Sequence, residues 1–223
     1  MSEPARQPWN IGRFMQTLTY FEALPIINWF QKMLPAFTPP VPPQIHAGLI
    51  FDFQQPVEEL AQTWGVLDDV VMGGASASSL RSEAEAVLFS GTVTTANSGG
   101  FASVRTRNFE PPLDLSGHTG IELQVKGDGQ RYKFLMRDQE SWDSIAYAQS
   151  FDTTAGEWQR IRIPFAELTA VFRAKTVADA PPIQQAQIRS LQLMLSKFEY
   201  DGALNPSFEP GKFQLYVRTI GVY

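Results

Sequence analysis

Residues 9–37, WNIGRFMQTLTYFEALPIINWFQKMLPAF, carry apolar side chains at helical spacing. Ile11, Phe14, Met15, Leu18, Phe21 and Leu24 fall along one stripe, the period of an amphipathic helix. Pro25 disfavours helical backbone at Leu24 and predicts a break into two pieces. The second piece sets Ile26, Ile27, Trp29, Phe30, Met33, Leu34 and Phe37 against Asn28, Gln31 and Lys32. Burying one large apolar side chain is worth roughly 1.5–3 kcal/mol, so such a segment does not stand alone in water. It needs cover from its own domain, a partner protein or a bilayer surface. Trp9 and Trp29 suit the headgroup level of a bilayer, but few cations are present to attract anionic lipid. The candidate docking residues are Trp9, Phe14, Leu18, Phe21, Trp29, Phe30 and Met33.

The pattern then changes twice. TPPVPPQIH, residues 38–46, places four prolines among positions 39–43 and predicts a stiff, extended spacer that holds the helical segment off. From Gly48 onward the chain reads as short strands. They are GLIFDF (48–53), AVLFSGTV (86–93), FASVRTR (101–107), GIELQVKG (120–127), RYKFLMRD (131–138), QRIRIPF (159–165), SLQLMLS (190–196) and KFQLYVRTIGVY (212–223). KGDGQ (126–130) predicts a hairpin turn, and TTAGEW (153–158) a second turn. VEELAQTW (57–64) and FAELTAVF (165–172) are the short helix candidates. With roughly eight to ten strands and no repeat period, the expected fold is an all-β jelly-roll sandwich preceded by an amphipathic helical segment. The expected divisions are 1–37 for the helical docking segment, 38–46 for the linker and 47–223 for the sandwich.

Composition narrows the chemistry. Hydrophobic residues make up 43% of the 223, enough for a sizeable core, while charged residues are only 18%. A net charge of −5 with no basic run argues against nucleic acid, whose binding rests on phosphate neutralisation. The absence of cysteine removes disulfides, thiolate zinc sites and cysteine nucleophiles. Two distant histidines, His46 and His118, supply neither a histidine metal site nor a serine–histidine triad well. The N-terminus MSEPARQPWN lacks the basic-then-apolar layout of a secretory signal, and no window reaches the roughly 18 apolar residues of a membrane span. No cofactor is expected.

Three segments, WGVLDDVVMGGASASSL (64–80), FSGTVTTANSGGFASVRTR (89–107) and GEWQRIRIPFAEL (156–168), resemble the complex I intermediate-associated protein family. The C-terminal RSLQLMLSKFEYDG and GKFQLYVRTIGVY add to the likeness, which covers about residues 48–223. The resemblance implies a galactose-binding-like β-sandwich, similar to carbohydrate-binding modules, and a role in assembling membrane-bound energy-converting complexes. Some relatives carry a dinucleotide-binding domain as well. Here Gly127-Asp128-Gly129 lacks the third glycine and following helix of that fingerprint, so no nucleotide is implied.

Asp68 and Asp69 are adjacent, and adjacent strand residues face opposite ways, so a carboxylate dyad needs a loop. One carboxylate accepting backbone N–H groups in the turn toward Gly73-Gly74, a calcium site and a partner-facing loop are the alternatives. Asn97 in NSGG marks a tight turn or bulge before a strand. Arg105 lies in alternation with Ser103 and Arg107, either on a solvated face or paired with Asp68 or Asp69. Tyr132, Phe134 and Met136 share one strand face, most simply the core. Trp142, between Ser141 and Asp143, is the best candidate for an exposed ring. The excursion KFEYDGALNPSFEPGKF (197–213) offers Phe198, Tyr200 and Phe208 as a contact surface or a lid.

The leading expectation is a non-catalytic assembly factor that binds a subunit or intermediate of a membrane complex, respiratory or photosynthetic. Its leading segment would dock on the partner or the membrane. The Pro- and Gln-rich style looks cyanobacterial, which implies a cytoplasmic location at the thylakoid face. A carbohydrate-binding module is the alternative, and the missing secretion signal makes glycan the weaker partner. An enzyme comes third, because no nucleophile motif, zinc motif or phosphate loop is present.

Overall fold

The computed structural model describes residues 8–21, 23, 39–55 and 60–223. Trp29, Phe30 and Met33, with the rest of the second apolar piece, lie outside the described residues.

The first helix, α1, spans Ile11–Tyr20. Asn10 caps it, its side chain accepting the Arg13 N–H at 3.0 Å, and Phe21 closes the last turn onto Thr17 O. The predicted stripe splits. Leu18 and Phe21 are buried and Phe14 is half-buried, but Ile11 and Met15 point outward. Arg13 and Thr17 take the inner positions that Ile11 and Met15 leave.

The strands are β1 (Leu49–Asp52), β2 (Trp64–Val66), β3 (Ala77–Glu83), β4 (Ala86–Val93), β5 (Phe101–Thr106), β6 (Gly120–Lys126), β7 (Arg131–Arg137), β8 (Ala146–Asp152), β9 (Trp158–Pro164), β10 (Thr169–Phe172), β11 (Lys175–Thr176), β12 (Ser190–Ser196) and β13 (Gly211–Val222). Among the described residues they form two antiparallel sheets. The first has the order β3-β4-β13-β6-β9, with β1 pairing the far end of β13. The second has the order β11-β10-β8-β7-β12-β5-β2. The chain is therefore an all-β jelly-roll sandwich with an N-terminal helix, as its periodicity predicts.

Between the sheets, Phe89, Val104, Phe109, Leu123, Tyr132, Phe134, Met136, Leu191 and Leu215 are among the side chains excluded from solvent. Tyr132, Phe134 and Met136 are core residues, as alternation requires. Strand β7 is buried on its other face too, as are β5 and β12. Leu135 joins Ala146, Ala148 and Val171 in a second, smaller cluster on the outer side of the seven-stranded sheet, with Met194 and Tyr200 packed against it.

Two expected local structures differ. KGDGQ is no hairpin, because β6 and β7 belong to different sheets and the segment crosses between them. Asp128 anchors the crossing, accepting from the Tyr132 hydroxyl at 2.9 Å and the Gln214 N–H at 2.9 Å. FAELTAVF is a 3-10 turn, Phe165–Glu167, followed by β10, whose pairing to β8 overrides the apolar spacing. VEELAQTW keeps one described helical turn, Leu60–Thr63, before Trp64 enters β2.

The proline run does not hold the helix off the sandwich. Pro40 O accepts the Glu110 N–H at 3.1 Å and Ile45 packs against the core. Just before α1, Trp9 Nε1 donates to Val70 O at 2.9 Å, and at its end Tyr20 Oη donates to Ala61 O at 2.9 Å.

Candidate functional site

The run DDVVMGG folds as a 3-10 turn, Asp69–Met72, wedged between β2 and β3. Its two carboxylates point different ways, and both are buried. Asp69 accepts the Ser76 N–H at 2.9 Å and the Ser76 hydroxyl at 2.6 Å, then the N–H groups of Gly100 at 2.8 Å and Phe101 at 3.3 Å. It thus stitches its own loop to NSGG. A Cβ at Gly74 would lie 2.3 Å from the Asp69 carboxyl carbon, and one at Gly99 2.4 Å from its oxygen. One glycine of each pair, Gly74 and Gly99, makes room for that side chain. Asn97, with φ at 55°, adds a bond from its amide to Gly73 O at 3.1 Å.

Asp68 faces β3, β5 and the helix. It accepts the Ser78 hydroxyl at 2.6 Å, the Ser78 N–H at 2.8 Å, the Ser103 N–H at 3.1 Å and Arg13 Nη2 at 2.8 Å. Burial pushes its carboxyl up to about 6, opposed by the Ser78 and Ser103 bonds and the Arg13 charge. Adjacent carboxylates aimed at different partners are not an acid–base dyad. Among the described residues no group of three or more His, Cys, Asp or Glu side chains is placed to hold a metal ion.

The cation on Asp68 is Arg13, and neither alternative for Arg105 holds: it does not pair with Asp68 or Asp69, and its face is not solvated. Arg105 projects instead from the outer face of β5, one residue pair beyond Ser103. Its Nε donates to Ser190 at 3.1 Å, Nη1 to Trp142 O at 2.7 Å and Nη2 to Asn108 at 3.2 Å. It is 1% exposed, and burial, then the neighbouring Arg137, lower its pKa, with Asp143 opposing. Arg137 bonds Gln192 at 2.7 Å, while its Nε is buried without a partner among the described residues. Trp142 is half-buried and contributes its carbonyl, so it is not an open ring platform.

Sequence reading missed Arg13. The available signal was that it is the single charge between positions 8 and 21, on the inner side of the helix. It missed Gly65 too, where a Cβ would fall 2.2 Å from the Tyr20 ring. Tyr20 lies flat on that backbone, and its phenol is pushed up by burial. Its ring faces the Arg107 guanidinium at 5.9 Å, and the Phe21 ring faces that of Arg105 at 5.8 Å. Past these rings a cavity of about 400 Å³ continues along Arg105, Arg107, Asn108, Glu140, Trp142 and Arg189.

At the other end of the same sheet face, the 197–213 excursion folds back as a lid. Lys133, 4% exposed, donates to Phe198 O at 2.6 Å and Glu199 O at 2.8 Å, and Tyr200 lies over its ammonium at 4.5 Å. Phe198 remains exposed, and Phe208 packs on the main core.

The family model described as Complex I intermediate-associated protein 30 matches residues 51–217. The chain belongs to this family. Both motif loops and the arginines of the sheet face fall inside the match, whereas α1 and Arg13 lie before it. No curated protein matches the chain. Among solved structures it is similar to the family 11 carbohydrate-binding module from Clostridium thermocellum in complex with a β-1,3-1,4-mixed-linked tetrasaccharide. That pair has 18% identity over 77% of this chain and 93% of the other, with a TM-score of 0.54. The family 11 module of the cellulosomal cellulase Lic26A-Cel5E of Clostridium thermocellum gives 17%, 80%, 95% and 0.55. The agarase AgWH50C gives 9%, 78%, 24% and 0.51. At these identities the likeness establishes a shared sandwich fold.

Proposed function

We propose that this member of the family is a non-catalytic assembly factor that binds a protein subunit or intermediate of a membrane-bound complex of the complex I type. The observation that carries this reading is the use made of the motif carboxylates. Asp68 and Asp69 are engaged in holding two loops and the helix, so the motif builds a surface and offers no reactive group. That surface lies where α1 meets the Asp69–Met72 turn. Trp9 is 46% exposed, Ile11 59%, Met15 42% and Met72 75%. Arg13 is turned inward to Asp68, which leaves the outward face of the helix uncharged. Apolar side chains grouped in this way on a soluble face mark interaction sites. Docking therefore falls to Trp9, Ile11, Met15 and Met72; Leu18 and Phe21 are already covered by the chain's own sandwich. We place the protein on the cytoplasmic side, peripheral to the membrane that holds its partner.

The test is affinity capture from native membranes, read by mass spectrometry, with the full chain and with an Ile11→Glu/Met15→Glu variant. The wild type is expected to recover subunits of a complex I-type assembly, and the variant to lose them by about tenfold or more, the effect of losing ~1.4 kcal/mol. Equal recovery would move docking off α1. Recovery of no such subunit, together with calorimetric binding of a mixed-linked β-glucan tetrasaccharide, would replace this reading with sugar binding.

A further inference from the structure

We propose that Tyr20 and Phe21 are built-in occupants of a peptide groove, yielded when a partner segment carrying an aromatic residue beside carboxylates takes their place. This names the partner chemistry for the assembly role proposed above and rests on that reading.

Among the described lining residues, Arg105, Arg107 and Arg189 stand with Glu110 and Glu140. Arg189 is matched by Glu140 at 2.9 Å. Arg105 meets only neutral acceptors among the described residues, and a buried guanidinium held this way has capacity for a carboxylate. Arg137, two strands away on the same face, adds a second, half-buried cation. The aromatic part of the code is written by the arm itself. Two rings sit over two guanidiniums, the geometry in which an incoming ring would gain the same attraction.

Among the described residues the long-range hydrogen bonds that seat the arm are those of Arg13 to Asp68 and Ser76 O, Trp9 to Val70 O and Tyr20 to Ala61 O. Ten residues of helix are too short to persist in water once these are lost. Ala23, after the helix, and Pro39, before the first strand, both line the groove, so the connecting chain leaves and returns at its rim. A segment that must wait for the arm to open binds with an affinity reduced by the open fraction, about 1–10% for a minor state ~1.4–2.7 kcal/mol up.

The experiment uses the full purified chain and two fluorescein-labelled peptides, Glu-Glu-Tyr-Phe-Glu-Glu and Lys-Lys-Tyr-Phe-Lys-Lys, read by fluorescence anisotropy. Arg13→Met and Gly65→Ala release the arm at different points. Each is expected to bind the acidic peptide about 10- to 100-fold more tightly than the wild type. Arg105→Gln added to either should abolish the gain, and the basic peptide should not bind. Circular dichroism on each variant verifies the sandwich, and either release variant alone decides if the other unfolds. Equal affinity in the wild type and the folded release variants, absence of binding in all, or equal binding of both peptides would overturn the proposal. Failure here with successful capture of complex subunits sinks the groove alone. Peptide binding with no such capture sinks the assembly role alone.

Discussion

Arg13→Met tests how α1 is held, and the pH at which it is measured decides the outcome. The substitution keeps most of the apolar stem and removes the guanidinium. Two bonds disappear, to Asp68 at 2.8 Å and to Ser76 O at 2.9 Å. Stripping one partner from a fully buried ion pair costs ~3–5 kcal/mol. Here the Asp68 side chain is 0% exposed but that of Arg13 is 30%, and Asp68 keeps its bonds from Ser78 and Ser103. The loss at pH 8 should therefore be about 2 kcal/mol, a fall of roughly 4–8 °C in Tm for a chain of this size. The folded carboxyl titrates at about 6 and the unfolded one at its ordinary 3.8. Between those values the folded state retains a proton that the unfolded state has released, so wild-type stability declines as pH rises from about 4 to 6. At pH 5 Asp68 is largely neutral in the folded protein, and Arg13 has little charge to meet. The gap between variant and wild type should then shrink to about 0.5 kcal/mol, the worth of a surface contact. Urea unfolding at pH 5 and pH 8, with unchanged m-values, measures both gaps. A gap equal at the two pH values, or larger at pH 5, would refute the ion pair as the source of the helix's attachment.

Three other outcomes follow from the same contacts. Gly74→Ala and Gly99→Ala each drive a methyl group into Asp69 and should each lower stability by roughly 2–4 kcal/mol, measured as the shift in urea midpoint. Burial lowers the folded Lys133 ammonium from 10.5 to about 8, so the unfolded state binds more protons between those values and stability rises with pH across that window. Lys133→Met should remove on the order of 2 kcal/mol of that rise relative to wild type, read as the difference between their unfolding free energies at pH 7.5 and 10. Ile11→Glu/Met15→Glu should change Tm by no more than about 2 °C, since both side chains already face water; a larger drop would mean that the outward face is structural.

Much of the candidate site was written locally, and its partners were not. NSGG and DDVVMGG announce turns by composition alone, because glycine pairs and Asx residues have few other uses at that density. That glycines from both pairs, Gly74, Gly99 and Gly100, serve one carboxylate, Asp69, became visible only when loops about thirty residues apart met. The Asp68–Arg13 contact spans 55 residues, and no local rule selects Arg13 over Arg105 as the cation. Strand alternation placed Arg105 on the face away from the core correctly but equated that face with solvent or with the aspartates. The lid from 197–213 and the rings of Tyr20 and Phe21 make it a second interior instead.

From the sequence alone came the β architecture, the positions of most long strands, the core face of Tyr132, Phe134 and Met136, and a helix over the first apolar stripe. Each of these depends on side-chain period and turn residues within a few positions, information that survives without any knowledge of neighbours. The tertiary structure alone decided that KGDGQ crosses between sheets, that FAELTAVF divides into a 3-10 turn and a strand, and which side of α1 is hidden. Strand pairing and helix seating are choices among distant surfaces, made by apolar burial together with the partners found for buried polar groups. Asp68 is such a group, and the helix turned Arg13 inward to answer it.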